Sequence, residues 1–325
     1  MNLVDESPIQ LNDYKKKKLN FKTYIKRNWP LYLMVMPMII YLLIFSYYPM
    51  LGLQLAFKKW NPRLGIWGSP WAKNESGEVD ILFNFKTLFT DDNFFKTFKN
   101  TLRISILRIV IGFPVPIIIT ILLNEMPCKK YAKGYQIISY LPHFISWIII
   151  SGILTSLTAN QSSFQNAMVF IFGKELPFFT SNKLFLTLLI VSDIWKEAGW
   201  ATIIYFAAIS GINSELYEAA AVDGANRLQK ILYITLPGIA PAISINLILQ
   251  SGNLVHGGFD QIFNMYNPLV YDMADILETY LFRIGITDGD YSLGTALGLF
   301  NSVIAFILVL TSNKIVKKIG GEPIW

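Results

Sequence analysis

The sequence predicts an all-α integral membrane protein with about six transmembrane helices, and three observations predict it. Of 325 residues, 53% are hydrophobic against 15% charged, and the mean hydropathy of +0.42 is well above that of a soluble domain. Apolar runs long enough to cross a bilayer recur along the chain, with polar segments between them. The basic residues behind the net charge of +6 flank these runs and form no long groove-binding stretch, so they read as topology signals and not as a nucleic-acid surface.

Taken in order, residues 1–28 are polar, carry Lys15 to Lys18, Lys22, Lys26 and Arg27, and are expected to be a cytoplasmic tail ahead of a membrane domain over 29–325. A signal peptide is the competing reading. The run from Leu31 through Tyr48 is followed by no small-residue cleavage pattern, so a retained first span is expected. The polar connection over 58–100 should lie outside, with Trp60, Trp67 and Trp71 marking the membrane interface or loop packing and not a ligand site. A second span is expected from about Thr101 to Leu123, with Arg103 and Arg108 in its outer part. Arginine is costly in a span unless paired, wetted or snorkelling, which leaves Arg108 as either a cavity residue or half of an ion pair.

Lys129, Lys130 and Lys133 mark an inner loop before a third span, Ile137 to Leu157. The fourth runs from Leu184 to Ile209 and the fifth from Ile239 to Val255. An outer segment then carries Asp260, Asp272, Asp275 and Glu278. The sixth span, Leu293 to Thr311, ends at Lys314, Lys317 and Lys318, which puts both termini inside.

Between the fourth and fifth spans lies a polar interruption, 213–237, punctuated as helix, turn, helix. Asn213 or Ser214 can cap the first helix, and Glu215 suits its opening turn. Gly224 supplies a left-handed stop. Asn226 with Gln229 forms a capping box for the second helix, and Pro237 is expected to end it. Glu218, Ala219 and Ala220 are followed after three residues by Gly224, and after nine more by Ile234, then Leu236 and Pro237. This spacing resembles the EAA loop of the membrane subunits of binding-protein-dependent ABC importers, and every element of that pattern is present.

The resemblance implies a type I importer permease architecture in which 213–237 is a cytoplasmic coupling loop. Glu218, Ala219, Ala220, Asp223, Gly224, Ile234, Leu236 and Pro237 are then its ATPase-facing residues. The thin alanine face suits a groove and Glu218 a basic partner. Outside the loop, YYPMLGLQLAFKKW, IWKEAGWATIIYFAAISGI, GFDQIFNMYNPLVYDMADILETYLFRIGI and YSLGTALGLFNSV are most similar to the polysaccharide-type permeases of that family. The family implies a heterodimer with a second, homologous permease, two copies of an ATPase subunit that holds ATP and magnesium, and an extracytoplasmic solute-binding protein. Oligosaccharide is the implied cargo, with uronate-containing pectin or alginate pieces making sense of Arg103, Arg108 and Lys196.

In the fourth span Asp193, Lys196, Glu197 and Trp200 fall on one helical face, and in the fifth Asn246, Gln250 and Asn253 repeat the device. Such residues either hold helices together or line a polar passage in which amides meet sugar hydroxyls and Trp195 or Trp200 meets a sugar ring. The maltose-type resemblance places family sugar contacts near Asp193, Lys196, Trp200, Gln250 and Asn253. No GxxxxGK[ST], HExxH or GxSxG pattern occurs, the single cysteine is Cys128, and His143 and His256 are far apart. The chain is therefore expected to bind no cofactor or metal and to catalyse no covalent reaction. The remaining rivals are an ion-gradient carrier using Asp193 and Glu197, and an importer of a non-sugar solute.

Overall fold

Long apolar runs in which few residues break helical geometry fold as helix. In the computed structural model, which describes residues 21–159, 162–318, 320–321 and 323–324, helices dominate, and extended pairing among the described residues is limited to two bridges, Lys58 with Trp71 and Lys73 with Val79. Most of the expected tail, residues 1–20, lies outside the described residues.

The chain divides into two compact units after Gly52. The first contains helix α1, Phe21–Leu42, prolonged by a wide turn at Leu43–Tyr47. Its apolar side chains from Leu31 to Tyr48 are exposed on all faces, as suits a helix whose solvent is lipid.

The second unit holds α2 (Asp92–Asn124), α3 (Lys129–Phe144), α4 (Trp147–Thr158) and α5 (Ser163–Phe172). There follow α6 (Asn182–Ser210), α7 (Ser214–Val222), α8 (Arg227–Val255) and α9 (Tyr291–Lys318). Short helices at Phe259–Met265, Tyr271–Ala274 and Leu277–Phe282 bridge α8 to α9. Among the described residues four helices, Arg27–Phe57, α2, α8 and α9, are long and apolar enough to cross a membrane, and the bent pair α3 and α4 makes a fifth where it is counted as one broken span. At 29 residues, α6 is long enough as well, about 43 Å, but Asp193, Lys196 and Glu197 dilute its apolar character.

Two expectations need correction. The third span is not one helix: α3 and α4 meet at a 98° bend. Pro142 tightens the end of α3 into a 3₁₀ turn, Ile145 and Ser146 are extended, and Ser146 then caps α4 by accepting from the Ile149 amide. Nor does Pro237 end a helix, since α8 runs straight through it. A proline ring crowds the carbonyl four residues back and offers it no N–H, and a wide turn just upstream removes both conflicts. The Leu236 amide reaches back to the Ile231 carbonyl, Phe113 before Pro114 reaches Arg108, and Tyr48 before Pro49 reaches Leu43.

Helix α6 is the centre of the second unit, packed against α2, α3 and α8. Lipid supplies no hydrophobic drive between helices, so close backbone approach takes its place. At Gly199 a Cβ would overlap the Ser139 carbonyl of α3. Gly199→Ala is therefore expected to destabilise the bundle by about 1–3 kcal/mol through overpacking, and Gly199→Leu by more. Thermal unfolding of the purified protein in detergent checks this, and an unchanged midpoint for Gly199→Leu would rule out the close crossing. Two buried clusters form the core of this unit: Ile104, Phe185, Leu189, Ile262 and Ile276 join α6 to α2 and to the connection after α8, and Phe94, Val255, Leu277 and Leu297 join α2, the end of α8, that connection and α9.

Candidate functional site

A cavity of about 400 Å³ opens between α2, α6 and α8. Helix α6 contributes Asp193, Glu197, Trp200, Ile204 and Tyr205, spaced along one face by helical periodicity. Helix α8 contributes Asn246, Gln250 and Asn253, and α2 contributes Ser105 and Arg108. The structure thus brings together Asp193, Trp200, Asn246, Gln250 and Asn253, which lie up to sixty residues apart in sequence.

Arg108 opens the wide turn Arg108–Gly112, and its side chain is held from three directions. Nη1 donates to the Gly257 carbonyl at 2.7 Å, Nη2 donates to Gln261 Oε1, and Nε lies 3.7 Å from Asp193 Oδ2. That last separation is an ion pair and not a hydrogen bond, so the buried Nε–H has no acceptor. Gly258, at φ +82°, makes room for the guanidinium, because any Cβ there would overlap it. Gln261 is buried and donates to the Leu189 carbonyl at 2.8 Å and Ser192 Oγ at 2.9 Å, tying the arginine to α6. Arg108 is both of the things its sequence position allowed: it lines the cavity and it is paired. Arg103 lies outside the cavity, with its guanidinium 3.3 Å from the Met273 sulfur.

Lys196 does not share the cavity with Asp193 and Trp200, contrary to the one-face reading. It is 6% exposed, donates to the His143 carbonyl at 2.5 Å, and sits 3.4 Å from Glu197 and 5.7 Å from the Trp147 ring centroid. The physical reason is the break in the third span. The bend leaves end-of-helix carbonyls without amide partners, and an ammonium from the neighbouring helix satisfies one of them. His143 completes the arrangement: Nδ1 is 2.7 Å from Glu197 Oε2, and its ring stacks on Trp200 at 4.5 Å and 3°. Trp200 is thereby fixed at the cavity wall by the broken helix. Trp195 points elsewhere and is half exposed.

His143 and Gln261 are the functional neighbours that sequence reasoning missed. Pro142 beside His143 was a usable signal for the break, but nothing local pairs His143 with Glu197, fifty-four residues away.

At the end of α6 the chain turns into the foot, α7 and the start of α8. Asn213 caps α7 by accepting from the Glu215 amide, and Asn226 with Gln229 forms the reciprocal box that opens α8. Gly224 sits at φ +78°. Tyr217 and Thr235 hydroxyls meet at 2.9 Å and close the hairpin. Glu218, Ala219 and Asp223 are exposed, as are the apolar Leu216, Val222 and Leu228, with Val222 88% accessible. Ile234 and Leu236 are half-buried and belong to the hinge at the wide turn more than to the outward face, while Pro237 is exposed.

Residues 129–319 match the family model described as binding-protein-dependent transport system inner membrane component. The polygalacturonan/rhamnogalacturonan transport system permease protein YteP of Bacillus subtilis is 39% identical over 312 residues, covering 96% of this chain and 94% of its own length. Protein LplB of the same organism is 37% identical over 95% of both chains. A bacterial ABC transporter involved in the import of the acidic polysaccharide alginate has a chain that superposes with a TM-score of 0.83 at 40% identity, over 92% of this chain and 98% of that one. A chain of a bacterial alginate ABC transporter in complex with an alginate pentasaccharide-bound periplasmic protein superposes with a TM-score of 0.82 at 39% identity. The four or five apolar spans, the polar cavity between helices and the matches across nearly the whole chain have one explanation: the chain belongs to the binding-protein-dependent transport system inner membrane components, the membrane-embedded permease subunits of ABC transporters.

Proposed function

We propose that this permease is one half of a heterodimeric membrane channel in an ATP-driven importer of uronate-containing oligosaccharides. A second homologous permease supplies the other half, two ATPase copies bind the foot from the cytoplasm, and an extracytoplasmic solute-binding protein delivers the cargo. In this reading the chain crosses the membrane six times, α6 included, with the foot and both termini on the cytoplasmic side. ATP and magnesium belong to the ATPase subunits.

The observation that carries this reading is the continuity of α6. It presents Trp200 to a cavity rich in amides and, about three turns later, leads into the foot. A push on Glu218, Ala219 and Ala220 therefore acts on the helix that walls the cavity, which is what alternating access requires. Gln250 and Asn253 side chains have no protein hydrogen-bond partner among the described residues, which leaves their amides for sugar hydroxyls. The uronate character of the cargo is taken from the relatives that transport polygalacturonan and alginate. The cavity does not supply it, with one arginine facing two carboxylates.

Reconstitution with the partner subunits in proteoliposomes tests this. Uptake of labelled oligogalacturonate or oligoalginate should require ATP and the binding protein and exceed uptake of a neutral maltooligosaccharide. Trp200→Ala should reduce it about 10-fold, the loss of one ring-stacking contact. Transport by this chain alone under an imposed ion gradient would favour a secondary carrier, and equal uptake of the neutral sugar would remove the uronate assignment.

A further inference from the structure

The cavity and the foot leave unused a basic stripe at the start of α2. Lys96, Lys99 and Arg103 lie at helical spacing on one exposed face and line a separate cleft of about 810 Å³. Its walls are otherwise mostly apolar, formed by Phe95, Phe98, Leu102 and Met273. Lys96 is neutralised by Asp272. Lys99 has no ion-pair partner among the described residues, and Arg103 reaches only the thioether of Met273, a weak acceptor. Asn182, the first residue of α6, also lines the cleft, and its Oδ1 is buried without a donor. The cleft thus offers two unneutralised cations and an apolar wall, and it sits at the end of α6 remote from the foot.

Its depth is set by the helix. The 33 residues of α2 span about 50 Å, longer than a hydrocarbon core of about 30 Å. The stretch Ile104 to Leu123 is about that length and carries one charge, Arg108. With that stretch in the core, Arg103 lies at its edge and Lys99 about one turn above, at the level of lipid phosphates.

We infer that this cleft binds an anionic phospholipid: the phosphate lies between Lys99 and Arg103, and an acyl chain follows Phe95 and Leu102. An acidic sugar satisfies the cations equally well but leaves the apolar wall uncovered, so the amphiphile is the better match.

The test is native mass spectrometry of the delipidated full chain titrated with phosphatidylglycerol or phosphatidylcholine. Retention of phosphatidylglycerol should exceed that of phosphatidylcholine about 10-fold, and K99Q/R103Q should abolish the preference. Equal retention of both lipids, or an unchanged preference in the variant, would overturn the site. Displacement of phosphatidylglycerol by oligogalacturonate would reassign the cleft to cargo and equally overturn it. A readout that needs no variant is acylation of Lys99 in nanodiscs. Lys99 should be protected by phosphatidylglycerol relative to phosphatidylcholine while Lys73 reacts alike in both, and no difference at Lys99 sinks the proposal.

Discussion

Gly224→Val is expected to cut ATP-driven uptake by about 100-fold while leaving membrane insertion and the thermal midpoint close to wild type. The site is crowded by nothing: a Cβ at Gly224 would meet no atom within 4 Å, so the penalty comes from the backbone. At φ +78° an L-residue pays about 1–2 kcal/mol, and a β-branched one more, and the chain relieves this by turning the hairpin. What turns is the geometry between α7 and α8, which the Ala225 amide to Ala220 carbonyl bond at 2.9 Å and the Tyr217–Thr235 contact now fix. A reoriented foot still presents Glu218 and the alanines, but at the wrong angle to a rigid partner. Gly224→Asn is the control, because asparagine tolerates the left-handed region and should keep most of the uptake. ATPase activity and uptake measured together in proteoliposomes separate uncoupling from loss of assembly. Uptake at wild-type level in Gly224→Val would remove the foot from the coupling role.

The foot was legible because its signals are local. Asn213, Gly224, Asn226 and Gln229 act through their own backbone and near neighbours, so one sequence carries the whole instruction. The cavity was half legible: a period of 3.6 residues put Asp193 and Trp200, and separately Asn246, Gln250 and Asn253, on common faces, and packing then merged the faces. Periodicity failed at Lys196, because a long flexible side chain at the edge of a face follows the strongest acceptor, here a carbonyl freed by a bend in another helix. The same local reasoning misjudged Pro237, whose conflict with helix geometry is resolved four residues earlier, at Tyr233 within the wide turn. Gln261 could not be found at all. It sits in a polar connection where a buried amide looks like any surface residue, and only the fold shows it joining Arg108 to α6.

Arg108→Met is expected to be the most damaging single change in the membrane domain, and its rescue pattern decides what the arginine is for. Methionine matches the stem but leaves Asp193 as an unpaired carboxylate and strips the Gly257 carbonyl and Gln261 of their donor. The pair is part-buried, with 17% and 25% of the two side chains accessible, so breaking it from one side costs less than the ~3–5 kcal/mol of a fully buried pair. With the two hydrogen bonds lost beside it the change is still a large share of a stability of about 5–15 kcal/mol, and low yield and a lower melting point should follow. Lysine keeps the charge but not the fork that reaches two acceptors, so Arg108→Lys should fall between. In the double variant R108M/D193N the stranded charge is gone, and stability should recover by at least about 1 kcal/mol relative to Arg108→Met, a non-additivity expected of groups in contact. If stability returns and uptake of oligogalacturonate does not, the guanidinium serves the cargo as well as the fold. If uptake returns with stability, Arg108 and Asp193 are a structural pair that happens to face the cavity, and the sugar is read by the amides of α8 and the ring of Trp200. A double variant no more stable than Arg108→Met would mean that the Gly257 and Gln261 contacts, and not the ion pair, hold α2 against the rest of the bundle.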